Sequence, residues 1–231
     1  MISGHLMTPK QATTVGPGSE AGIQAVVFDL GGVLLDWNPR YLYRRLFDSD
    51  SAGMEQFLAE VCNPAWNAKQ DAGRSWDEAI AEAIAAHPEY AALIRAYREQ
   101  WEEMLGEPFA DSVAVLDELK RTGVRLYALT NWSQDTFLYG LARYPFLQWF
   151  DDIVVSGREG VIKPDPAIFR LFLSRFRLAA SGCVFIDDTP KNVEAATRLG
   201  FHAIHFRNSL QLRGNLLSLG LLPGQLAMAN T

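Results

Sequence analysis

Residues 26–37 read VVFDLGGVLLDW. The apolar run Val26-Val27-Phe28 ends in a carboxylate, Asp29, and a glycine pair, Gly31-Gly32, precedes a second apolar run. A short apolar run closed by an acid and glycines reads as a buried strand that turns sharply at its carboxyl end. Four later runs share this texture: VRLYALT (124–130), DIVVS (152–156), CVFID (183–187) and HAIHF (202–206). Helical patterns stand between them. DSVAVLDELKRTG places Gly123 near a C-cap, and DPAIFRLFLSRFRL starts on Asp165 as N-cap with Pro166 in the first turn. SQDTFLYGLARY is a further helix, and PKNVEAATRLG begins at Pro190 and ends at Gly200. Strand alternating with helix predicts an α/β fold, a three-layer Rossmann-like parallel sheet covered on both faces.

One block breaks the alternation. Residues 39–106 read as helices only, through PRYLYRRLF, SAGMEQFLAEVC, SWDEAIAEAIAA and EYAALIRAYREQWEEML. Because the first strand precedes the block, the block is an insertion into the sheet domain. The expected organisation is a core of 23–38 and 107–222, a helical cap of 39–106, a mobile tail of 1–22 and a short C-terminal tail of 223–231. The first tail is polar and rich in Gly, Pro and Thr, without the basic-then-apolar layout of a signal peptide.

Composition narrows the function classes. The 231 residues are 48% apolar with a formal charge of −6, which argues against a general nucleic-acid binder. No apolar run approaches the ~18 residues of a membrane span. Cys62 and Cys183 fit no metal or CxxC spacing, so they read as two buried thiols in a reducing, cytoplasmic setting. His87, His202 and His205 lack a partner at ligand spacing.

In open sheets of this kind, ligands bind beyond the carboxyl ends of the strands. Those ends carry Asp29, then Thr130 and Asn131, then Lys163 in the loop GREGVIKPD, then Asp187-Asp188. Three carboxylates on one rim hold a proton among them unless a cation is present. Mg²⁺ suits such a set, since it takes oxygen ligands and keeps positions open for phosphate. With that repulsion cancelled, Asp29 is placed to attack phosphorus, Thr130 to donate to a phosphate oxygen and Lys163 to balance the growing charge.

FDLGGVL, LTN, the lysine of GVIKPDP and FIDDTPKNVEAA, in that order, resemble the haloacid dehalogenase-like (HAD) hydrolase superfamily, from about residue 25 to 206. The insertion resembles the helical C1-type cap of that superfamily. DWNPR and the Gly-Arg of the cap resemble the glucose-1-phosphatase-like phosphatases within it. The resemblance implies Asp29 as nucleophile, the Gly31 carbonyl as a main-chain metal ligand, Thr130 on phosphate and Lys163 as charge balance. It makes Asp188 the principal acidic metal ligand, with Asp187 direct or through water. Asn192 stands where many relatives carry a second Asp. Asn131, Gly31, Gly32 and, from the polar loop Lys69–Ser75, Arg74 are the expected substrate contacts. Trp37 and Trp132 line the cleft or pack cap on core.

Gly31 departs from the family pattern, in which an Asp at that position protonates the leaving oxygen. Three readings stand. The chain is a Mg²⁺-dependent phosphatase for a small phosphorylated, sugar phosphate-like metabolite, with its acid elsewhere. Or it is a 2-haloacid dehalogenase using Asp29 on carbon. Or it is a degenerate binding protein. The retained acid pair Asp187-Asp188 favours the first, because carbon–halogen displacement has no use for it.

Overall fold

The computed structural model describes residues 22–223. Apart from Gly22 and Pro223, the two expected tails lie outside the described residues. Seven strands are present among them: β1 (Ala25–Phe28), β2 (Leu35–Trp37), β3 (Leu105–Pro108), β4 (Arg125–Thr130), β5 (Asp152–Val155), β6 (Cys183–Asp187) and β7 (His202–His205). Five form one parallel sheet in the order β5-β4-β1-β6-β7. The central strand, β1, is wholly buried, which is why it reads as a continuous apolar run.

Side chains alternate across this sheet with a period of two. Val26, Phe28, Leu126, Ala128, Val184 and Ile186 belong to one apolar cluster, which continues into the helical insertion. Ala25, Val27, Tyr127, Leu129, Cys183 and Phe185 form the other, with Phe169 and Phe172 of helix Pro166–Phe176 and Ala195 and Ala196 of helix Pro190–Arg198. Each fully buried Val or Phe here stabilises the fold by roughly 1.5–3 kcal/mol.

The chain leaves β1, makes the short antiparallel ribbon β2–β3, and inserts helices Arg40–Leu46, Ser51–Glu60, Pro64–Asp71, Trp76–Ala86 and Ala91–Glu99 between its strands. Asp50, Asn63 and Ser75 cap three of these by accepting from Gly53 N, Trp66 N and Glu78 N. Aromatic contacts fill the block: Tyr43 meets Phe57 at 5.0 Å between centroids, and Trp66 meets Tyr97 edge-on at 5.1 Å.

Three local features differ from the sequence reading. The ribbon β2–β3 was not expected. Helix Pro64–Asp71 occupies a segment whose polar composition hides it. The long helix expected over 89–105 breaks at Gln100, because a 3₁₀ turn (Trp101–Met104) buries Trp101 and Met104 and returns Leu105 to pair with Trp37. Tertiary pairing there overrides helix propensity. Both cysteines are buried and unpaired. No helix among the described residues is long and apolar enough to cross a membrane.

Candidate active site

Parallel register brings three strand ends together. Phe28 pairs with Ala128 on one side and Ile186 on the other, so Asp29 emerges beside Asp187, and its N–H donates to Ile186 O at 2.8 Å. Thr130 ends β4, with its side chain buried at the same rim. This is the switch point of the sheet, with β1 flanked by β4 and β6.

Lys163 is the electrostatic centre. Its fully buried ammonium lies 2.9 Å from Asp29 Oδ1 and 2.7 Å from Asp187 Oδ2. Burial works against that charge, but Asp187 and Asp29 outweigh it and raise the ammonium above its usual range. Asn131 holds the lysine backbone from both sides: Lys163 N donates to Asn131 Oδ1 at 2.8 Å, and Asn131 Nδ2 donates to Lys163 O at 2.9 Å. The Asn131 side chain thus clamps the Lys163 backbone.

The two aspartates after β6 differ. Asp187 is wholly buried and hydrogen-bonded on both oxygens. Its Oδ1 accepts from Thr189 N and Asn192 Nδ2, and its Oδ2 from Lys163 Nζ and Asn192 Nδ2. Three donors thus hold Asp187, with Asn192 Nδ2 shared between its two oxygens, and Asp187 in turn orients Lys163. Asn192 spends its amide on Asp187. Asp188 is the more open of the two at the rim, and partial burial of its carboxyl plus the neighbouring Asp187 raise its pKa. Asp29 carries hydrogen bonds on Oδ1 alone, from Leu30 N at 2.7 Å and Lys163, which leaves Oδ2 without a protein donor. Burial, with Asp187 adding to it, pushes the Asp29 carboxyl up to about 7 against the pull of Lys163.

Carboxylate oxygens of Asp29, Asp187 and Asp188 all lie within 4.8 Å of one another. One ammonium among three acids leaves a net negative, all-oxygen rim, the chemistry that suits Mg²⁺. Gly32 permits the approach of Asp188: its φ is +73°, and a Cβ there would collide with the Asp188 carboxylate. Gly31 is different, since a Cβ on it would meet nothing within 4 Å.

The insertion covers this end of the sheet. Trp76 Nε1 donates to Ser133 Oγ at 3.1 Å, and Ser156 Oγ donates to Asp71 O at 2.6 Å. A cavity of about 610 Å³ lies where the end of β2 meets the inserted helices, lined by Trp37, Asn38, Cys62, Asn67, Asp71 and Tyr97 among others. Its volume falls in the ~300–1,000 Å³ range of small-molecule sites. Arg74 is not part of its lining. It is held inside the insertion by Gln70 and Glu82. Trp132 packs on Trp101 and Phe137, whereas Trp37 both stacks on Trp101 and lines the cavity. Asp71 and Asn67 were not singled out from sequence. The signal available was an Asp beside a Gly-Arg turn in an otherwise polar stretch.

A parallel sheet with an acid at the end of its central strand, facing a lysine and two more acids, defines a HAD-type α/β hydrolase core. The chain belongs to the haloacid dehalogenase-like hydrolase family, whose model matches residues 23–200. It is similar to the sesquiterpene phosphatase astK of Aspergillus oryzae (28% identity, 81% of this chain, 91% of that protein). It is also similar to a phosphorylated carbohydrates phosphatase of Thermotoga maritima (25% identity, 79% and 84%). Among solved structures, the magnesium complex of a HAD family enzyme from Bacteroides thetaiotaomicron shares the fold, with a TM-score of 0.64 at 19% identity over 80% of this chain and 94% of that one.

Proposed function

We propose that this hydrolase is a Mg²⁺-dependent phosphatase that acts on a small phosphorylated metabolite through an aspartyl phosphate on Asp29. The observation that carries the reading is the asymmetry of the acids around Lys163. Asp187 takes three donors, while Asp29 Oδ2 takes none and Asp188 only a long contact from Thr189, which leaves them for a cation and a phosphoryl group. Asp29, Asp188 and the Gly31 carbonyl are the groups that would hold Mg²⁺, with Asp187 behind them. When bound, the cation supplies neutralisation of the phosphoryl oxygens and cancels their repulsion by Asp29.

In this reading Thr130 donates its hydroxyl to a phosphate oxygen, and Lys163 keeps Asp29 Oδ1 fixed while opposing charge at the rim. Residues 39–106 act as a cap whose cavity receives the leaving group, and Gly31 and Gly32 bring bare backbone to the phosphoryl group. The sesquiterpene phosphatase and carbohydrate phosphatase names of two relatives support a phosphomonoester substrate and leave its leaving group open between apolar and sugar-like. Two buried free thiols accord with a reducing, cytoplasmic setting.

The test is phosphate release from sugar phosphates, prenyl phosphates and p-nitrophenyl phosphate, with Mg²⁺ or EDTA, by the protein and its Asp29→Asn variant. Release that needs both Mg²⁺ and Asp29 is expected. Halide release from 2-halo acids that is indifferent to EDTA would overturn the reading in favour of carbon chemistry.

A further inference from the structure

Of the carboxylates at the rim, Asp188 has the least to hold it. Its side chain takes one contact, from Thr189 Oγ1 at 3.4 Å, beyond the usual ~2.5–3.0 Å of a hydroxyl donor. Asp29, by contrast, is fixed through Oδ1 by Leu30 N and Lys163, and Asp187 by its three donors. A carboxylate without close donors of its own is aimed by its backbone. What holds the backbone at Asp188 therefore decides where that carboxylate stands.

Two contacts hold it, one at each end of a single peptide unit. β6 ends at Asp187, so Asp188 lies one residue past the strand. Thr189 N donates to Asp187 Oδ1 at 2.9 Å. The carbonyl of the same planar unit, Asp188 O, meets His205 Nε2 at 3.0 Å. A carbonyl oxygen only accepts, so Nε2 carries the proton in this contact. His205 is half-buried at the carboxyl end of β7, where it is the register partner of Asp187, and Phe206 N donates to Asp187 O at 2.9 Å. On the other flank, the β1 loop leaves the Asp188 carboxylate room only because residue 32 is glycine. The turn is thus tied to β7 through His205 and pressed against Gly32.

The same strand carries a matching contact remote from the rim. His202, at the amino end of β7, meets Ser181 O through Nε2, also at 3.0 Å. Ser181 lies just ahead of β6, at the opposite end from the rim acids. Residue type, strand and distance are shared. Only the His205 contact supports a residue of the cation site.

We propose that His205 is a positioning residue for the cation site: by holding the Asp188–Thr189 peptide unit, it sets the Asp188 carboxylate beside Asp29 before Mg²⁺ arrives. This inference rests on the reading of Asp188 as a Mg²⁺ ligand. His205 itself touches neither the cation nor the substrate. Partners one step behind a metal ligand govern affinity because a ligand left free to wander must be ordered when the ion binds.

The experiment is calorimetric titration of Mg²⁺ into the full-length protein and its variants, without substrate, beside melting curves in EDTA. His205→Phe keeps a ring and removes the donor, and should weaken Mg²⁺ about tenfold, the low end for a residue that supports a metal ligand. His205→Gln keeps an N–H at the reach of Nε2 and should recover most of that loss. His202→Phe removes the matching contact and should bind Mg²⁺ as the parent does, whatever its melting temperature. Parental affinity in His205→Phe would overturn the proposal. So would a loss that His205→Gln does not relieve, or an equal loss in His202→Phe, which marks a general loosening of β7. Should His205→Phe fail to fold, His205→Leu carries the same comparison. Asp188→Ala separates this inference from the reading beneath it. If that variant binds Mg²⁺ as tightly as the parent, or the parent binds none, the metal reading itself fails. Parental affinity in His205→Phe beside a weakened Asp188→Ala defeats this inference alone.

Discussion

Replacing Lys163 by methionine removes one ammonium from between two buried carboxylates, 2.9 Å and 2.7 Å away, and keeps most of its volume. Removing one member of a buried ionic cluster typically destabilises by ~3–5 kcal/mol, because the partners are left charged and unpaired. The two contacts share one cation, so the figure is not doubled. The loss carries a sign in pH. Asp29 sits at about 7 in the folded chain, above its ordinary value of 3.8. The unfolded chain therefore gives up that proton first, and stability falls as pH rises between those two values. Without Lys163 the Asp29 pKa moves further up and the fall continues to higher pH. The variant should therefore be ~3–5 kcal/mol less stable at pH 8.5 and distinctly closer to the parent at pH 5.5, where Asp29 takes up a proton. Urea unfolding at both pH values in EDTA measures this, and Mg²⁺ should restore part of the loss at pH 8.5 by mass action. A destabilisation under ~1 kcal/mol, or one that does not change with pH, would refute the assignment of Lys163 as the counter-charge of the rim.

Gly32→Ala should both strain the backbone at φ +73° and push Asp188 away, lowering stability by ~1 kcal/mol or more and weakening Mg²⁺ binding by calorimetry. Asp188→Ala should weaken Mg²⁺ at least tenfold, whereas Asn192→Ala, which frees an oxygen pair of Asp187, should chiefly lower thermal stability; calorimetry and melting curves separate the two. Asp71→Asn should raise stability at pH 8 by up to ~4 kcal/mol. A folded pKa of about 7 against 3.8 means the parent loses stability over that interval as pH rises, at ~1.4 kcal/mol per unit, and the amide does not titrate. Urea midpoints at pH 5 and pH 8 show whether the gain is confined to the higher pH.

The sheet was legible because its strands are buried on both faces and so spell continuous apolar runs. Asp165 and Gly123 announced a helix start and a helix stop through capping chemistry, and both occupy those positions. Asp29, Thr130, Lys163 and Asp187-Asp188 were visible as polar residues closing or following strands. What composition concealed was local and tertiary. The ribbon β2–β3 is three and four residues long and borrows sequence that suits a helix on one side. Helix Pro64–Asp71 has few apolar residues, because much of one side faces the cavity. The clamp of Asn131 on Lys163 and the three donors gathered on Asp187 depend on which loops meet, and no spacing along the chain encodes that. Arg74 drew notice as a charge beside a glycine turn, while Asp71, three residues earlier, faces the cavity.

The central claim is a covalent phosphoryl group on Asp29. It is tested most directly by acid quench during turnover of p-nitrophenyl phosphate with Mg²⁺, followed by peptide mass spectrometry. A hydroxylamine-sensitive phosphate on the peptide containing Asp29, absent from the Asp29→Asn protein, is the predicted result. Turnover with that peptide unlabelled at every quench time, or undiminished turnover by Asp29→Asn, would contradict the account.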